Sequence, residues 1–230
     1  MTPTMDSSMT GRRPGGVMAK RPLHFIWLLD CSGSMAFRGK IDALNTAIRE
    51  LVPHMRRAAG DNSGAEVLMR AVRFATDAVW HIPQPTLLSE FHWTDVVAEP
   101  ESHTSMGAAL RLVADEMKMP PMSPRALPPA LVLISDGRPT DDFEGGLQAL
   151  LSQPWGKAST RLAIGIGTDA LHKNLRRFID NSDIPVLQAD YTDALVEYMR
   201  FVSTSVVSGH KVGSMPSPPP AQTPPTSVIW

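Results

Sequence analysis

Cysteine is nearly absent from this chain: Cys31 stands alone among 230 residues. One thiol excludes an intramolecular disulfide framework, and without a C-x-x-C pair or a Cys/His cluster there is no zinc-site signature either. Net charge is also lacking. The 22 basic and 23 acidic side chains leave a formal charge of -1, so no global field recruits nucleic acid or an acidic membrane. No apolar run approaches the ~18 residues that span a bilayer. The basic pair Arg12 and Arg13 leads into Pro-Gly-Gly, and the run after Arg21 stops at Asp30, too short and too early for a secretory signal. These absences predict a cytoplasmic chain in a reducing compartment, with no nucleic-acid or membrane partner and with recognition residing in a local site.

What is present is an alternation. LHFIWLL (23–29) reads as a buried strand, and KIDALNTAIRELVPHM (40–55) sets Ile41, Leu44, Ile48, Leu51 and Val52 on one helical stripe. Two further strands, 65–74 and 78–82, flank the turn at Thr76 and Asp77 as an antiparallel edge. A helix over 105–118 ends at Pro120 and Pro121. The remainder reads as strand 130–135, helix 141–152, strand 161–167, helix 171–179, strand 184–188 and helix 192–206. Strands this apolar, separated by helices, predict a doubly wound α/β fold: a mostly parallel sheet with helices on both faces and one antiparallel edge strand.

This core is expected over 21–208, preceded by a disordered extension over 1–20 that is rich in Met, Ser, Thr and Gly. A flexible proline-rich tail over 209–230 follows, ending in Val228-Ile229-Trp230. That end is either a free tail or an anchor that docks on a partner or a second copy.

In an open α/β sheet, ligands sit at the carboxyl edge of the strands. Asp30 ends the first strand, and Ser32 and Ser34 occupy the next loop; Thr104 precedes the second long helix, and Asp136 follows a central strand. Carboxylates and hydroxyls without imidazole or thiolate suit Mg²⁺, Mn²⁺ or Ca²⁺ rather than zinc or copper. Only two of these five side chains carry charge, so a bound ion keeps net positive charge and one open position.

The run D-C-S-G-S-M (30–35), then Thr104, then I-S-D-G (134–137) resembles the metal-ion-dependent adhesion site (MIDAS) of von Willebrand factor type A (VWA) domains, a Rossmann-like fold. The resemblance covers about 21–207, and the details ISDGRPTDDFEGGL and AIGIGTDA are most similar to the bacterial tellurite-resistance TerY-like branch. It implies direct metal contacts from Ser32, Ser34 and Thr104, with Asp30 and Asp136 acting mainly through bound water. The open position would then take a Glu or Asp from a protein partner. The TerY-like branch further implies stress response or phosphorylation-linked signalling, with a protein kinase or a PP2C-type phosphatase as companion. His103 departs from the pattern, since relatives often carry Gly before the threonine. Met35, His103, Met106 and Asp141 are the expected partner-facing rim.

Competing readings attach to the same residues. Asp30, Ser32 and Ser34 suit an ordinary helix N-cap region, and Thr140 with Asp141 and Asp142 suits the start of the next helix. A metal-dependent hydrolase or phosphatase needs a base beside the ion; His103 is the one candidate, and G-x-S-x-G is absent. Gly165-x-Gly167-x-x-Ala170, with Asp190 beyond it, imitates a dinucleotide fingerprint late in the chain. Cys31 reads as a small buried side chain rather than a nucleophile.

Overall fold

The computed structural model describes residues 19–62, 64–167, 172–189 and 192–208. The expected extension before residue 19, the tail after residue 208, Ala170 and Asp190 lie outside the described residues.

Six strands form a single sheet: β1 (Arg21–Asp30), β2 (Ala65–Phe74), β3 (Ala78–Leu87), β4 (Ala130–Ser135), β5 (Thr160–Ile166) and β6 (Leu187–Ala189). Their order is β3-β2-β1-β4-β5-β6, parallel throughout except for the antiparallel β2–β3 pair. The helices are α1 (Lys40–Asp61), α2 (Met106–Glu116), α3 (Phe143–Leu151), α4 (Pro154–Ala158), α5 (His172–Ile179) and α6 (Thr192–Val207). Helix α1 packs against α6, and α2 against α3. Right-handed crossovers set these two pairs on opposite faces of the sheet. The mostly parallel, doubly wound α/β architecture expected from the alternation is the one observed.

The core strands are apolar because both of their faces are covered. In β1, Phe25 and Trp27 through Leu29 are fully buried, and every residue of β4 is buried. The stripe on α1 faces inward through Leu44, Ile48, Leu51 and Val52, while Ile41 is half-buried.

Among the boundaries that differ from expectation, two have a clear local reason. Helix α1 runs past 55 to Asp61 with Pro53 inside it; the proline lies on the exposed side, and Met55, Ala58 and Ala59 keep the inner face packed. Strand β3 extends beyond 82 to Leu87 through Pro83 and Pro85. An edge strand tolerates residues that cannot donate, because one row of its donors has no ladder to join. Strand β6 is shorter than expected, limited to Leu187–Ala189.

The chain leaves β1 toward β2 on one side, and β4 joins β1 on the other. The carboxyl ends of β1 and β4 therefore border the point where the winding direction reverses, which is where ligands bind in open sheets of this kind. The parallel register pairs Leu29 with Ile134, which sets Asp30 beside Ser135 and brings Asp136 just beyond.

Candidate metal centre

Asp30 is fully buried, and both of its carboxylate oxygens are engaged. Oδ1 accepts the Ser32 backbone N–H at 2.9 Å, and Oδ2 accepts the Ser135 hydroxyl. The first bond folds the loop after β1 back on itself, so that Ser32 and Ser34 point to one place; their hydroxyl oxygens lie 3.2 Å apart. Ser34 Oγ donates to Asp136 Oδ1 at 2.7 Å. Asp136 Oδ2 accepts from Lys40 Nζ at 2.6 Å.

Thr104 arrives from a long segment without regular structure, and that segment is fastened at several points. The buried Asn45 side chain on α1 donates to the Val96 carbonyl at 2.8 Å, accepts the Val96 N–H at 2.9 Å and accepts the Trp93 indole N–H at 3.1 Å. Glu99 N–H donates to the Cys31 carbonyl at 2.8 Å. Thr104 itself is clamped by Thr140: its N–H donates to Thr140 Oγ1 at 2.9 Å, and its carbonyl accepts the Thr140 N–H at 3.0 Å. Thr104 Oγ1 has no hydrogen-bond partner among the described residues. A Cβ placed on Gly137 would stand 4.0 Å from both Ser34 Oγ and Thr104 Oγ1, so these two hydroxyls flank the same small space.

The five sequence-predicted residues Asp30, Ser32, Ser34, Thr104 and Asp136 therefore come from three loops at one sheet edge. All are buried except Ser34, which is exposed and forms the mouth. The donor set fits a divalent ion. Neighbouring oxygens on an octahedral Mg²⁺ stand about 2.9 Å apart and those around Ca²⁺ about 3.4 Å, and the Ser32–Ser34 separation of 3.2 Å falls between. Among the described residues no group of three or more His, Cys, Asp and Glu side chains is placed to hold a metal; hydroxyls must supply most of the contacts.

Burial pushes the Asp30 carboxyl from its ordinary 3.8 up to about 6; the hydrogen bonds from Ser135 and Ser32 oppose this, and the neighbouring Asp136 charge adds to it. Burial likewise pushes the Cys31 thiol up to about 12, consistent with an inert core side chain.

The expected rim is corrected in three places. Met35 and Met106 are fully buried and belong to the core beneath the loops, so neither faces a partner. Asp141 is turned inward: its two oxygens accept the N–H groups of Gly107 at 2.9 Å and Ala108 at 2.8 Å, capping α2 rather than starting its own helix. The cap of α3 is Asp142, not Thr140; its side chain accepts the Gly145 N–H at 2.9 Å. This arrangement requires α2 and α3 to touch, and glycine permits it: a Cβ on Gly107 would lie 2.2 Å from the Asp142 carbonyl oxygen. His103 is exposed beside Thr104. The exposed apolar side chains on the bordering loops are Phe37 and Val97, at 70% and 74%.

Sequence reasoning missed Lys40, Asn45 and Ser135, and it gave Thr140 a helix-start role rather than the clamp on Thr104. Ser135 stands next to Asp136 in the same quoted motif, and Lys40 at the first turn of α1; their positions were visible, but not their partners. The dinucleotide reading meets a specific obstacle. Gly167 N–H donates to the Ala189 carbonyl at 2.8 Å, and its carbonyl accepts the Gln188 side-chain amide. The backbone that would cradle a phosphate joins β5 to β6 instead.

No family model matches the chain, and no curated protein matches it by sequence. Solved structures do match in fold. The chain has a VWA fold. A von Willebrand factor type A protein from Catenulispora acidiphila superposes with a TM-score of 0.62 at 20% identity, covering 82% of this chain and 43% of that one. Proximal thread matrix protein 1 of the mussel byssus, with a zinc-occupied MIDAS motif, gives 0.61 at 14% identity over 82% of this chain and 48% of its own. The pilus adhesin SpaC of Lactobacillus rhamnosus GG gives 0.61 at 13% identity, over 82% and 31%. This chain thus spans less than half the length of these VWA-fold proteins. No helix among the described residues is long and apolar enough to cross a membrane.

Proposed function

We propose that this chain is a non-enzymatic, metal-ion-dependent protein-interaction module that binds an acidic side chain of a partner protein. The observation that carries this reading is the convergence of the Ser32, Ser34 and Thr104 hydroxyls with Asp136 at the switch point of the sheet, behind a mouth formed by exposed Ser34. Ser32, Ser34 and Thr104 would hold the ion, with Asp136 orienting the Ser34 hydroxyl and Asp30 orienting the loop. A divalent cation held mainly by neutral hydroxyls supplies an electrophilic position that favours a carboxylate from outside. Phe37 and Val97 offer apolar contact around that carboxylate, the role expected of the two methionines.

Mg²⁺ is the proposed ion, with Mn²⁺ and Ca²⁺ as alternatives. Zinc joins the panel because the mussel protein holds it in its MIDAS motif, which donor hardness alone does not anticipate. The adhesin among the VWA-fold neighbours supports an interaction role. The cytoplasmic setting, the TerY-like branch with its tellurite and stress-response context, and a protein kinase or PP2C-type phosphatase as companion are proposals that rest on the sequence resemblance. Against the hydrolase reading, neither Ser32 nor Ser34 hydrogen-bonds a histidine among the described residues, and the carboxylate that Ser34 does meet, Asp136, is already paired with Lys40.

The test has two stages. Isothermal titration with Mg²⁺, Mn²⁺, Ca²⁺ and Zn²⁺ should show binding by the wild type and none by Ser34→Ala. Immobilised metal-loaded protein should then retain peptides carrying Asp or Glu over the same peptides carrying Asn or Gln, with release by EDTA. Equal retention of acid and amide peptides overturns the proposed function, and metal-dependent turnover of a generic phosphoester replaces it with the hydrolase.

A further inference from the structure

Lys40 is an odd residue to find where it stands. It is the first residue of α1, at the positive end of the helix dipole, where a cation is disfavoured. Two successive residues in the left-handed region lead into it, Arg38 with φ +57° and Gly39 with φ +70°, and left-handed backbone is costly for a side chain as large as arginine. The cap residue Gly39 contributes no side-chain hydrogen bond. Nothing about starting a helix calls for this arrangement. It does deliver the Lys40 ammonium to Asp136 Oδ2 at 2.6 Å, in a pair whose side chains are 15% and 1% exposed. The other oxygen of that same carboxylate accepts the hydroxyl of Ser34, one of the proposed metal ligands, at 2.7 Å.

From this geometry we infer that Lys40 is a built-in competitor of the divalent ion. One carboxylate serves two cations, and a fixed positive charge on Asp136 weakens the field that draws a metal to Ser34. Without metal, Lys40 neutralises Asp136 and keeps the site in order, because a counter-charge offsets the cost of burying that carboxylate. With metal, the two cations repel, and the ion is held loosely until a further negative charge arrives. An incoming partner carboxylate supplies that charge, so metal and partner strengthen one another's binding reciprocally. This inference rests on the metal-site reading above.

The experiment is titration of the full chain with Mn²⁺, comparing wild type with Lys40→Met, Lys40→Gln and Lys40→Arg, beside thermal unfolding in EDTA and in saturating Mn²⁺. The neutral variants should bind Mn²⁺ about tenfold or more tightly than the wild type, while Lys40→Arg stays near it. In EDTA the neutral variants should melt below the wild type, with a larger rise on adding Mn²⁺. Lys40→Gln keeps a donor for Asp136, so it carries the comparison should Lys40→Met fail to fold. Binding by the neutral variants alone supports the inference in its strongest form. Wild-type binding with no tightening in the neutral variants, or with weakening, overturns the competitor role and leaves the metal site standing. Silence in every protein overturns the metal-site reading, and this inference with it.

Discussion

Replacing Asp30 with Asn separates the cost of the buried carboxylate from its use. The side chain is fully buried, and Asn keeps its shape: one atom still accepts the Ser32 N–H, and the amide can donate to the Ser135 hydroxyl. The folded-state carboxyl titrates at about 6 against an ordinary 3.8. At about 1.4 kcal/mol per pH unit, that gap is about 3 kcal/mol of strain borne by the metal-free fold once the carboxyl ionises. Because the folded value lies above the unfolded one, this group's stabilising contribution is full below about pH 4 and is lost as the pH rises through about 6. The shift already includes the hydrogen bonds to the ionised carboxylate; what Asn gives back is the reversal at Ser135, where an amide donor replaces an acceptor, at a cost of about 1 kcal/mol. In EDTA at pH 8, Asp30→Asn should therefore raise stability by about 1–2 kcal/mol, or a melting point higher by roughly 2–8 °C for a domain of this size. Near pH 4 the advantage should vanish, because the wild-type carboxyl is already protonated. In saturating Mg²⁺ the order should reverse, with the wild type gaining and the variant not. Thermal unfolding followed by circular dichroism at both pH values, with and without metal, reads all of this. An Asn variant less stable than wild type at pH 8 in EDTA, or a difference that ignores pH, would refute the reasoning.

Other consequences are checked by similar means. Met35→Ala and Met106→Ala should each cost about 2–5 kcal/mol in denaturant unfolding while leaving metal affinity per folded molecule unchanged, since both side chains are core and not rim. Asp141→Ala removes both caps from α2 and should cost about 1–2 kcal/mol, twice or more the effect of Asp142→Ala by the same measurement. Asn45→Ala leaves the Val96 N–H and carbonyl and the Trp93 indole unpaired; a loss of about 3 kcal/mol or more is expected, with amide exchange rising along the segment that carries Thr104. Cys31, buried with its thiol pushed to about 12, should resist iodoacetamide in the native state and react only after denaturation, as mass spectrometry will show.

The sequence by itself determined the fold class and which residues gather at the proposed metal site. Unbroken apolar strands such as HFIWLL and ALVLIS have no polar face to turn to water, so they must lie in a sheet covered on both sides, and the chain's alternation then forces a parallel winding. A motif that follows each strand directly is carried to the sheet edge by that winding, which is why Asp30, Ser32, Ser34 and Asp136 were readable. Tertiary structure alone decided who their partners are. Ser135 reaches Asp30 across 105 positions and Lys40 reaches Asp136 across 96, and nothing local marks such pairs. It also decided that Asp141 caps the preceding helix, because a close approach of α2 and α3 through Gly107 offers it two free amides that are nearer than those of its own helix. Met35 and Met106 were misread for the same reason. A flexible apolar side chain beside a ligand looks alike in sequence whether it faces solvent or the core, and only the packing of the loops over the sheet chooses between them.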